Sequence, residues 1–485
     1  MEYVPAIGLE IHAELKTATK MFCASKNDSE ESRPNVNICP VCLAHPGVLP
    51  VINREAVKYV LKVGVALKGE LADYTEFDRK SYFYPDLPKG YQLSQYEYPL
   101  VSGGVLNGVS ITRVHLEEDT ASSIHDEEKG TTVIDFNRAG VPLMELVTEP
   151  QIQSAREAGE FARELQLLLK QLGVSDANME KGEMRVEANV SVARSDLGDP
   201  SLKVGPLGTK VEIKNLNSFR AMERAVEYEI KRQSGLLERG EKVVQETRGW
   251  DEAKQTTFPQ RSKEGSADYR YFPDPDLPSL TLSEITEFSV DALKKNMTEL
   301  PWERRDRYLS LGIKPEDAKL FARERVLAAY LDELVLLWGA GGSGAIGLAA
   351  NYLANDVVKI IRDIENRDSD YQCEIPISAR NFRDIIDMVL EQKLSSRAAK
   401  DILLAVAKGE ATDALTYATA RNLLQGGSAD IASVIESILA DNPAVVKDYK
   451  AGKTAALEYL VGQAMKATRG AADPHTIRNL ILSKA

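Results

Sequence analysis

Ile7-Gly8-Leu9-Glu10-Ile11-His12-Ala13-Glu14 alternates apolar or small residues with polar ones, apart from Gly8, which carries no side chain. A period of two is the spacing of a β-strand, whose successive side chains point to opposite faces. Read as a strand, residues 3–15 set Ile7, Leu9 and Ile11 against a core and leave Gly8, Glu10, His12 and Glu14 on the other side. The pattern recurs in residues 185–192, where Val186, Ala188, Val190 and Val192 alternate with Arg185, Glu187, Asn189 and Ser191. A third strand is expected where Lys210, Glu212 and Lys214 alternate with Val211 and Ile213. Strands with one apolar face belong to antiparallel sheets packed on one side. The second face here carries acids, bases and amides. Any one such strand could be a solvated surface; several together, flanked by aromatic and Gly/Pro-rich loops, point to a functional sheet face.

Between these strands lie amphipathic helices. One opens at the capping box Ser154-Ala-Arg-Glu157, turns Ala158, Phe161, Ala162, Leu165, Leu168, Leu169 and Leu172 inward, and stops at Gly173. Strand signals nearly vanish after Pro278. Beyond about Ile313 the chain reads as helix, for example Leu331-Asp-Glu-Leu-Val-Leu-Leu-Trp338 and Ser378-Ala-Arg-Asn-Phe-Arg-Asp-Ile-Ile-Asp-Met-Val-Leu390. The expected fold class is α+β: an antiparallel-sheet domain over 1–292, a helical domain over 293–408 and a helical tail over 409–485.

Composition narrows the function. No apolar run approaches the ~18 residues of a membrane span, and the opening Met-Glu-Tyr-Val-Pro lacks the basic and apolar stretches of a signal peptide. Four cysteines in 485 residues cannot staple such a chain and fit a reducing cytosol, so the expected location is cytoplasmic. A net charge of -13 repels a phosphate backbone, so any nucleic-acid contact must be local. One segment departs from the average: Pro443 to Ala485 carries seven Lys/Arg against three acids. Lys447, Lys450, Lys453, Lys466 and Arg469 make it a candidate RNA-contacting surface, with a solvated helical face as the alternative.

Phosphate-loop signatures fail. Gly452-Lys453-Thr454 resembles the end of a P-loop, but Lys447 stands where the earlier glycine is required. Gly342-Ser-Gly344-Ala-Ile-Gly347 matches G-x-G-x-x-G yet follows a helical segment, where a dinucleotide fingerprint needs a strand. The acids are more informative. Glu10 and His12 share a strand face, His115-Leu-Glu117-Glu118-Asp119 adds a second group, and Glu145 sits in the strand-like Leu143-Met-Glu-Leu-Val147. Two like charges 4 Å apart repel by ~4 kcal/mol at an effective dielectric near 20. A divalent cation such as Mg²⁺ relieves that repulsion; otherwise the acids stay apart on the surface. Phe77-Asp-Arg-Lys-Ser-Tyr-Phe-Tyr-Pro-Asp-Leu-Pro-Lys-Gly-Tyr91 is rich in aromatics and cations, suited to stacking a base or lining a polar passage. Cys23, Cys39, Cys42 and His45 offer four zinc ligands, with plain reduced thiols as the alternative.

At these residues the chain resembles GatB, the B-subunit family of the tRNA-dependent amidotransferases. The likeness runs through Gly8-Leu-Glu-Ile-His12, Phe77-Asp-Arg-Lys80, Tyr82-Phe-Tyr-Pro-Asp86, His115-Leu-Glu-Glu-Asp119, Asn137-Arg-Ala-Gly-Val-Pro-Leu143 and Glu212-Ile-Lys-Asn-Leu-Asn-Ser-Phe219. It continues in Gln245-Glu-Thr-Arg248, Asp268-Tyr-Arg-Tyr-Phe-Pro273 and Leu460-Val-Gly-Gln463. The resemblance implies a glutamine synthetase-like cradle, a helical linker and a YqeY-like tail. It implies ATP-dependent phosphorylation of Glu on Glu-tRNA(Gln) or Asp on Asp-tRNA(Asn), followed by amidation. It places Mg²⁺ on Glu10, His12, Glu118 and Glu145, and Lys80 and Lys89 along an ammonia route. An amidase subunit (GatA) and a small subunit (GatC) are the implied partners, since no glutaminase motif is recognisable in this chain.

Three positions depart from the family's common pattern. Cys23-Ala-Ser25 replaces Cys-x-Cys, Glu118-Asp-Thr-Ala-Ser122 replaces Glu-Asp-Ala-Gly-Lys, and Glu187 stands where Asp is common. A non-catalytic tRNA-binding scaffold is therefore the alternative to an active kinase and transamidase subunit.

Overall fold

The alternation that opens the chain becomes an inner strand of a ten-stranded sheet. The computed structural model describes residues 3–28, 30–126, 129–194, 207–262, 269–339, 342–365, 375–424, 428–450, 453–467 and 474–484. Its principal strands are β1 (Tyr3–Glu14), β2 (Asp78–Ser81), β3 (Tyr91–Ser94), β4 (Val109–Glu118), β5 (Pro142–Thr148), β6 (Met184–Arg194), β7 (Val211–Leu216), β8 (Glu246–Asp251) and β9 (Thr256–Ser262). The large sheet runs β9-β8-β7-β6-β1-β5-β4 and continues through the short strands Val101–Ser102 and Glu70–Leu71. A separate three-stranded sheet joins β2 to β3 and to Phe272–Pro273.

Helices cover the apolar side. Ile7, Leu9, Ile11 and Ala13 of β1 are buried, as are Val186, Ala188, Val190 and Val192 of β6. Of helices α1 (Arg54–Ala66), α2 (Ala155–Leu172) and α3 (Phe219–Glu238), α3 packs on β6 and β7, α2 on α3, and α1 on β4. The expected apolar stripe of α2, Ala158 to Leu172, is its buried face. Ser154 Oγ accepts the Glu157 N–H at 3.2 Å, and the Glu157 carboxylate accepts the Gln153 N–H at 2.9 Å. Gly173 ends the helix at φ 69°, a left-handed conformation that costs glycine little.

The sheet is not wholly antiparallel, which corrects the sequence-based expectation. β7 and β8 pair in parallel, Glu212 opposite Thr247 and Lys214 opposite Gly249. The cause is α3, which intervenes between them. A crossover helix returns the chain in its original direction and so makes a βαβ unit.

The chain divides into two compact units, Met1–Leu300 and Pro301–Ala485. The second has no strand among its described residues. It holds two separate cores. One gathers Tyr308, Phe321, Leu331, Leu353, Phe382, Ile386, Leu403 and Ala418; the other gathers Ile435, Leu460, Ala464, Ile477 and Ile481. The glycine-rich stretch at Gly342 opens the helix Ser343–Tyr352 and follows the helix Arg325–Trp338, so it lacks the preceding strand of a dinucleotide site. No helix among the described residues is long and apolar enough to cross a membrane.

Candidate active site

Register brings the polar residues of four strands into one patch. His12 of β1 stands opposite Glu145 of β5 on one side and Arg185 of β6 on the other, and Glu145 stands opposite His115 of β4. One residue pair along, Glu10 faces Glu187. His12 Nε2 lies 3.4 Å from Glu145 Oε2, 3.6 Å from Glu117 Oε1 and 3.9 Å from Glu10 Oε1. His115 Nε2 lies 3.2 Å from the same Glu145 oxygen. Glu117, Glu145 and His115 are buried, with relative exposures of 2%, 5% and 2%.

Electrostatics follow from that crowding. Burial opposes charge on His12, but hydrogen bonding to Glu145 and attraction by Glu145, Glu117 and Glu10 outweigh it and push the imidazole up to about 9. Burial likewise opposes ionisation of Glu145, yet His115 and His12 hold its carboxyl well below the usual range. Glu10 is raised by burial and by repulsion from Glu145 and Glu187, against the pull of His12 and Lys214. The acids thus favour positive charge in their midst, which a cation can supply.

The donor set fits a hard divalent cation. Glu10, His12 and Glu145 each offer an atom within 4.8 Å of the others, as do His115, Glu117 and Glu145. Carboxylate oxygens with an imidazole are within the ordinary repertoire of such ions. His115 Nδ1 is buried without a hydrogen-bond partner among the described residues.

Glu118 does not join this group. Alternation along β4 puts His115 and Glu117 on the patch side, and Glu118 on the other. Its carboxylate accepts the Leu93 N–H at 3.0 Å and pairs with Lys89 Nζ, 2.5 Å from Oε2. Glu187 pairs with Lys214 at 2.8 Å. Lys80, on β2, has Nζ 5.1 Å from the Tyr269 ring centroid. Burial opposes its charge, but Glu117, Tyr271 and Glu145 more than restore it.

A cavity of about 230 Å³ lies beside the Lys89–Glu118 pair, with Tyr91, Cys23, Cys42 and His45 also in its wall. The three cysteines cluster there. Their sulfurs all lie within 4.8 Å of one another, and Cys39 and Cys42 Sγ are 3.9 Å apart. Tetrahedral zinc with Zn–S bonds of ~2.3 Å sets sulfurs ~3.8 Å apart, so the three thiols fit. His45 does not complete the set. The turn that joins Cys39 and Cys42, with the Leu43 N–H bonded to the Cys39 carbonyl at 3.1 Å, leaves His45 exposed on the cavity wall. Nearer are Ser25, whose Oγ is 3.9 Å from Cys42 Sγ, and Lys20, whose fully buried Nζ is 3.8 Å from it. A hydrogen bond from Cys23, working against burial, together with the Cys39 N–H and Lys20, pulls the Cys42 thiol down to about 4.

Comparison with known proteins gives the family. A family profile described as the GatB/GatE catalytic domain matches residues 5–287, and one described as the GatB domain matches residues 342–484. The aspartyl/glutamyl-tRNA(Asn/Gln) amidotransferase B-subunit of Thermus thermophilus is 44% identical over 484 residues, covering 99% of this chain and 98% of its own length. The chain belongs to the GatB family. The protein of the same name from Crocosphaera subtropica is 40% identical, covering 99% of this chain and 97% of its own. In Physcomitrium patens the similar protein is the chloroplastic/mitochondrial glutamyl-tRNA(Gln) amidotransferase B-subunit, 40% identical over 100% of this chain and 85% of its own.

In this GatB-family chain the basic tail is helical. Lys447 and Lys450 lie on the helix Pro443–Lys450 and Lys466 on Thr454–Ala467, all exposed and with no ion pair among the described residues. Lys453 is tied to Asp448 at 3.0 Å, Arg478 to Glu458 at 2.7 Å, and Lys484 to Glu436. Arg469 lies outside the described residues.

Sequence reasoning placed His115 and Glu117 in the acidic group and Ser25 beside Cys23 but gave none of them a ligand's role, and it did not mark Lys20 at all. Strand parity could have found the first two, since Arg113, His115 and Glu117 share one face by spacing alone. No comparable signal marks Lys20, whose burial depends on a carbonyl 116 positions away, that of Phe136.

Proposed function

We propose that this chain carries the ATP-dependent activation and amidation steps of a tRNA-dependent amidotransferase, acting on Glu-tRNA(Gln), Asp-tRNA(Asn) or both. The observation that carries this reading is the convergence of Glu10, His12 and Glu145 beside cationic side chains on one sheet face. A free carboxylate resists amidation because hydroxide is a poor leaving group. In the proposed sequence a side-chain carboxylate oxygen of the aminoacyl group takes the γ-phosphoryl of ATP, and ADP departs. Ammonia then attacks the acyl carbon, phosphate leaves, and the new amide nitrogen sheds a proton.

Glu10, His12 and Glu145 would hold Mg²⁺, with Glu117 and His115 beside them. Bound there, the ion would supply neutralisation of the phosphoryl charge. Glu118 holds Lys89 in place at the cavity, and Lys80 keeps its charge beside Glu117. Along an ammonia path these two cations disfavour ammonium and so keep the nitrogen lone pair available. The three thiols of Cys23, Cys39 and Cys42 would hold Zn²⁺ as a structural ion.

The partners in this reading are an amidase subunit (GatA) that supplies ammonia, a small subunit (GatC) and the mischarged tRNA, and the place of action is the cytoplasm. The glutamine synthetase-like cradle would occupy 1–292, the linker 293–408 and the YqeY-like tail 409–485. The two separate cores of the second unit support the last division, though the linker's core reaches Ala418. The test presents each purified mischarged tRNA to the reconstituted complex and follows ATP hydrolysis and amide formation. Activity with either tRNA is expected; a complex that binds both and transforms neither would leave only a scaffold.

A further inference from the structure

Buried polar atoms without partners collect at one place. Among the described residues six side-chain atoms are in this state, and four of them, Arg113 Nε, His115 Nδ1, Arg185 Nε and Asn189 Oδ1, belong to β4 and β6. Native proteins pair nearly all buried polar groups, so such a concentration calls for a missing partner. All four residues alternate onto the polar side of the sheet, around the Glu10–His12–Glu145 group. Arg185 stands opposite His12, and Arg113 lies two residues along β4 from His115, which stands opposite Glu145. Three strand spacings separate β6 from β4, about 14 Å, so the two arginines flank the carboxylates from opposite sides.

A divalent cation accounts for the carboxylates, and ion pairs to Asp119 and Glu145 engage one end of Arg185 and of Arg113, but the buried Nε–H of each guanidinium is left without an acceptor. Arg185 is already aimed: its Nη2 is held by Asp119 at 2.5 Å, and Asp119, 4% exposed, is anchored in turn by the Thr120 N–H at 2.9 Å. That leaves the Nε edge of Arg185 to donate. Arg113 Nη2 lies 3.9 Å from Glu145 Oε1, beyond a hydrogen bond, and its Nε is likewise unused. Planar N–H edges of this kind suit phosphoryl oxygens better than a lysine point charge does.

We propose that Arg113 and Arg185 form a phosphoryl-binding clamp across the sheet, each donating to anionic oxygens of the group passed from ATP to the substrate carboxylate. The proposal rests on the phosphoryl-transfer reading given above and assigns to these two arginines the contacts to the travelling group. The ligand is a tetrahedral phosphoryl oxyanion, for which orthovanadate is the probe.

The experiment uses the full chain in its reconstituted complex. Arg113→Lys and Arg185→Lys keep the charge and lose the planar fork. Each is expected to lower kcat/KM for tRNA-dependent ATP hydrolysis by about a hundredfold and to weaken orthovanadate inhibition by about tenfold. Binding of Mn²⁺, followed by electron paramagnetic resonance, should stay within about threefold of wild type. A second measurement needs no variant. Both side chains are about one-third exposed, at 32% and 38%, so phenylglyoxal should modify them in the wild-type complex. Orthovanadate with Mg²⁺ and ADP should protect both, as read by peptide mass spectrometry. Unchanged vanadate inhibition in folded variants, or modification that vanadate does not slow, overturns the clamp. A wild-type complex that is protected by vanadate yet hydrolyses no ATP would retain the clamp and overturn phosphoryl transfer instead.

Discussion

Two clusters of side chains that could hold a metal ion occupy the same unit and are held in different ways. The carboxylate–imidazole group stands on three neighbouring strands, so backbone register fixes which donors meet: His12 opposite Glu145, Glu145 opposite His115. The cysteine group stands on loops, where a turn at Cys39–Cys42, the bend at Cys23 and the buried side chain of Lys20 converge. Strands admit a residue to a site by parity. Loops admit it by the path of the chain. The first cluster has hard donors around an imidazole whose charge they favour; the second has soft donors, with Lys20 Nζ 3.8 Å from one sulfur.

The largest effect should come from removing the shared member of the strand cluster. Glu145 belongs to both donor triads, so Glu145→Gln is expected to abolish detectable Mn²⁺ binding and to lower ATP hydrolysis by about 10³-fold. Glu118→Gln, on the opposite strand face, should keep Mn²⁺ affinity within about threefold of wild type. Equal loss of Mn²⁺ in the two variants, measured by electron paramagnetic resonance, would mean that parity does not decide the donor set.

The loop cluster should behave otherwise. Purified protein is expected to carry about one zinc per chain. Cys42→Ser should remove it, and His45→Ala should leave it in place. Elemental analysis reports the outcome directly, and zinc lost with His45 would place the imidazole among the ligands after all.

A smaller effect separates both clusters from the tail. Lys447, Lys450 and Lys466 are exposed and unpaired among the described residues, whereas Lys453, Arg478 and Lys484 already have acidic partners. Exposed ion pairs contribute little to stability but do occupy the cation. Replacing the three unpaired lysines with alanine should weaken tRNA binding and reduce the slope of log K against log[salt], by about 0.9 per lost phosphate contact if duplex DNA is a guide. Unchanged affinity and slope in a filter-binding titration would make the tail a solvated helical surface.

How much of this was legible in the sequence follows the same division. The alternation at Ile7–Glu14 located β1, its buried face and the pairing of Glu10 with His12 on one side, because strand period leaves no choice. The capping box at Ser154 and the stop at Gly173 marked α2, since both are local hydrogen-bond requirements. The parallel pairing of β7 with β8 was missed because alternation does not report strand direction. The crossover through α3 sets that direction. Glu118 was favoured over Glu117 by family likeness, although parity within β4 argues the reverse. His45 satisfied the ligand count but not the turn. Lys20 could not be read at all, because its burial depends on contacts distant in sequence.

The role proposed for Glu10, His12 and Glu145 on the sheet face is support of phosphoryl transfer to an aminoacyl carboxylate. The most direct measurement traps the phosphorylated aminoacyl-tRNA from γ-labelled ATP in the reconstituted complex with ammonia withheld, comparing wild type with His12→Ala. A labelled intermediate is expected with the wild type and none with the variant, while glutaminase activity of the partner persists at a basal level. Wild-type amounts of labelled intermediate with His12→Ala would contradict it.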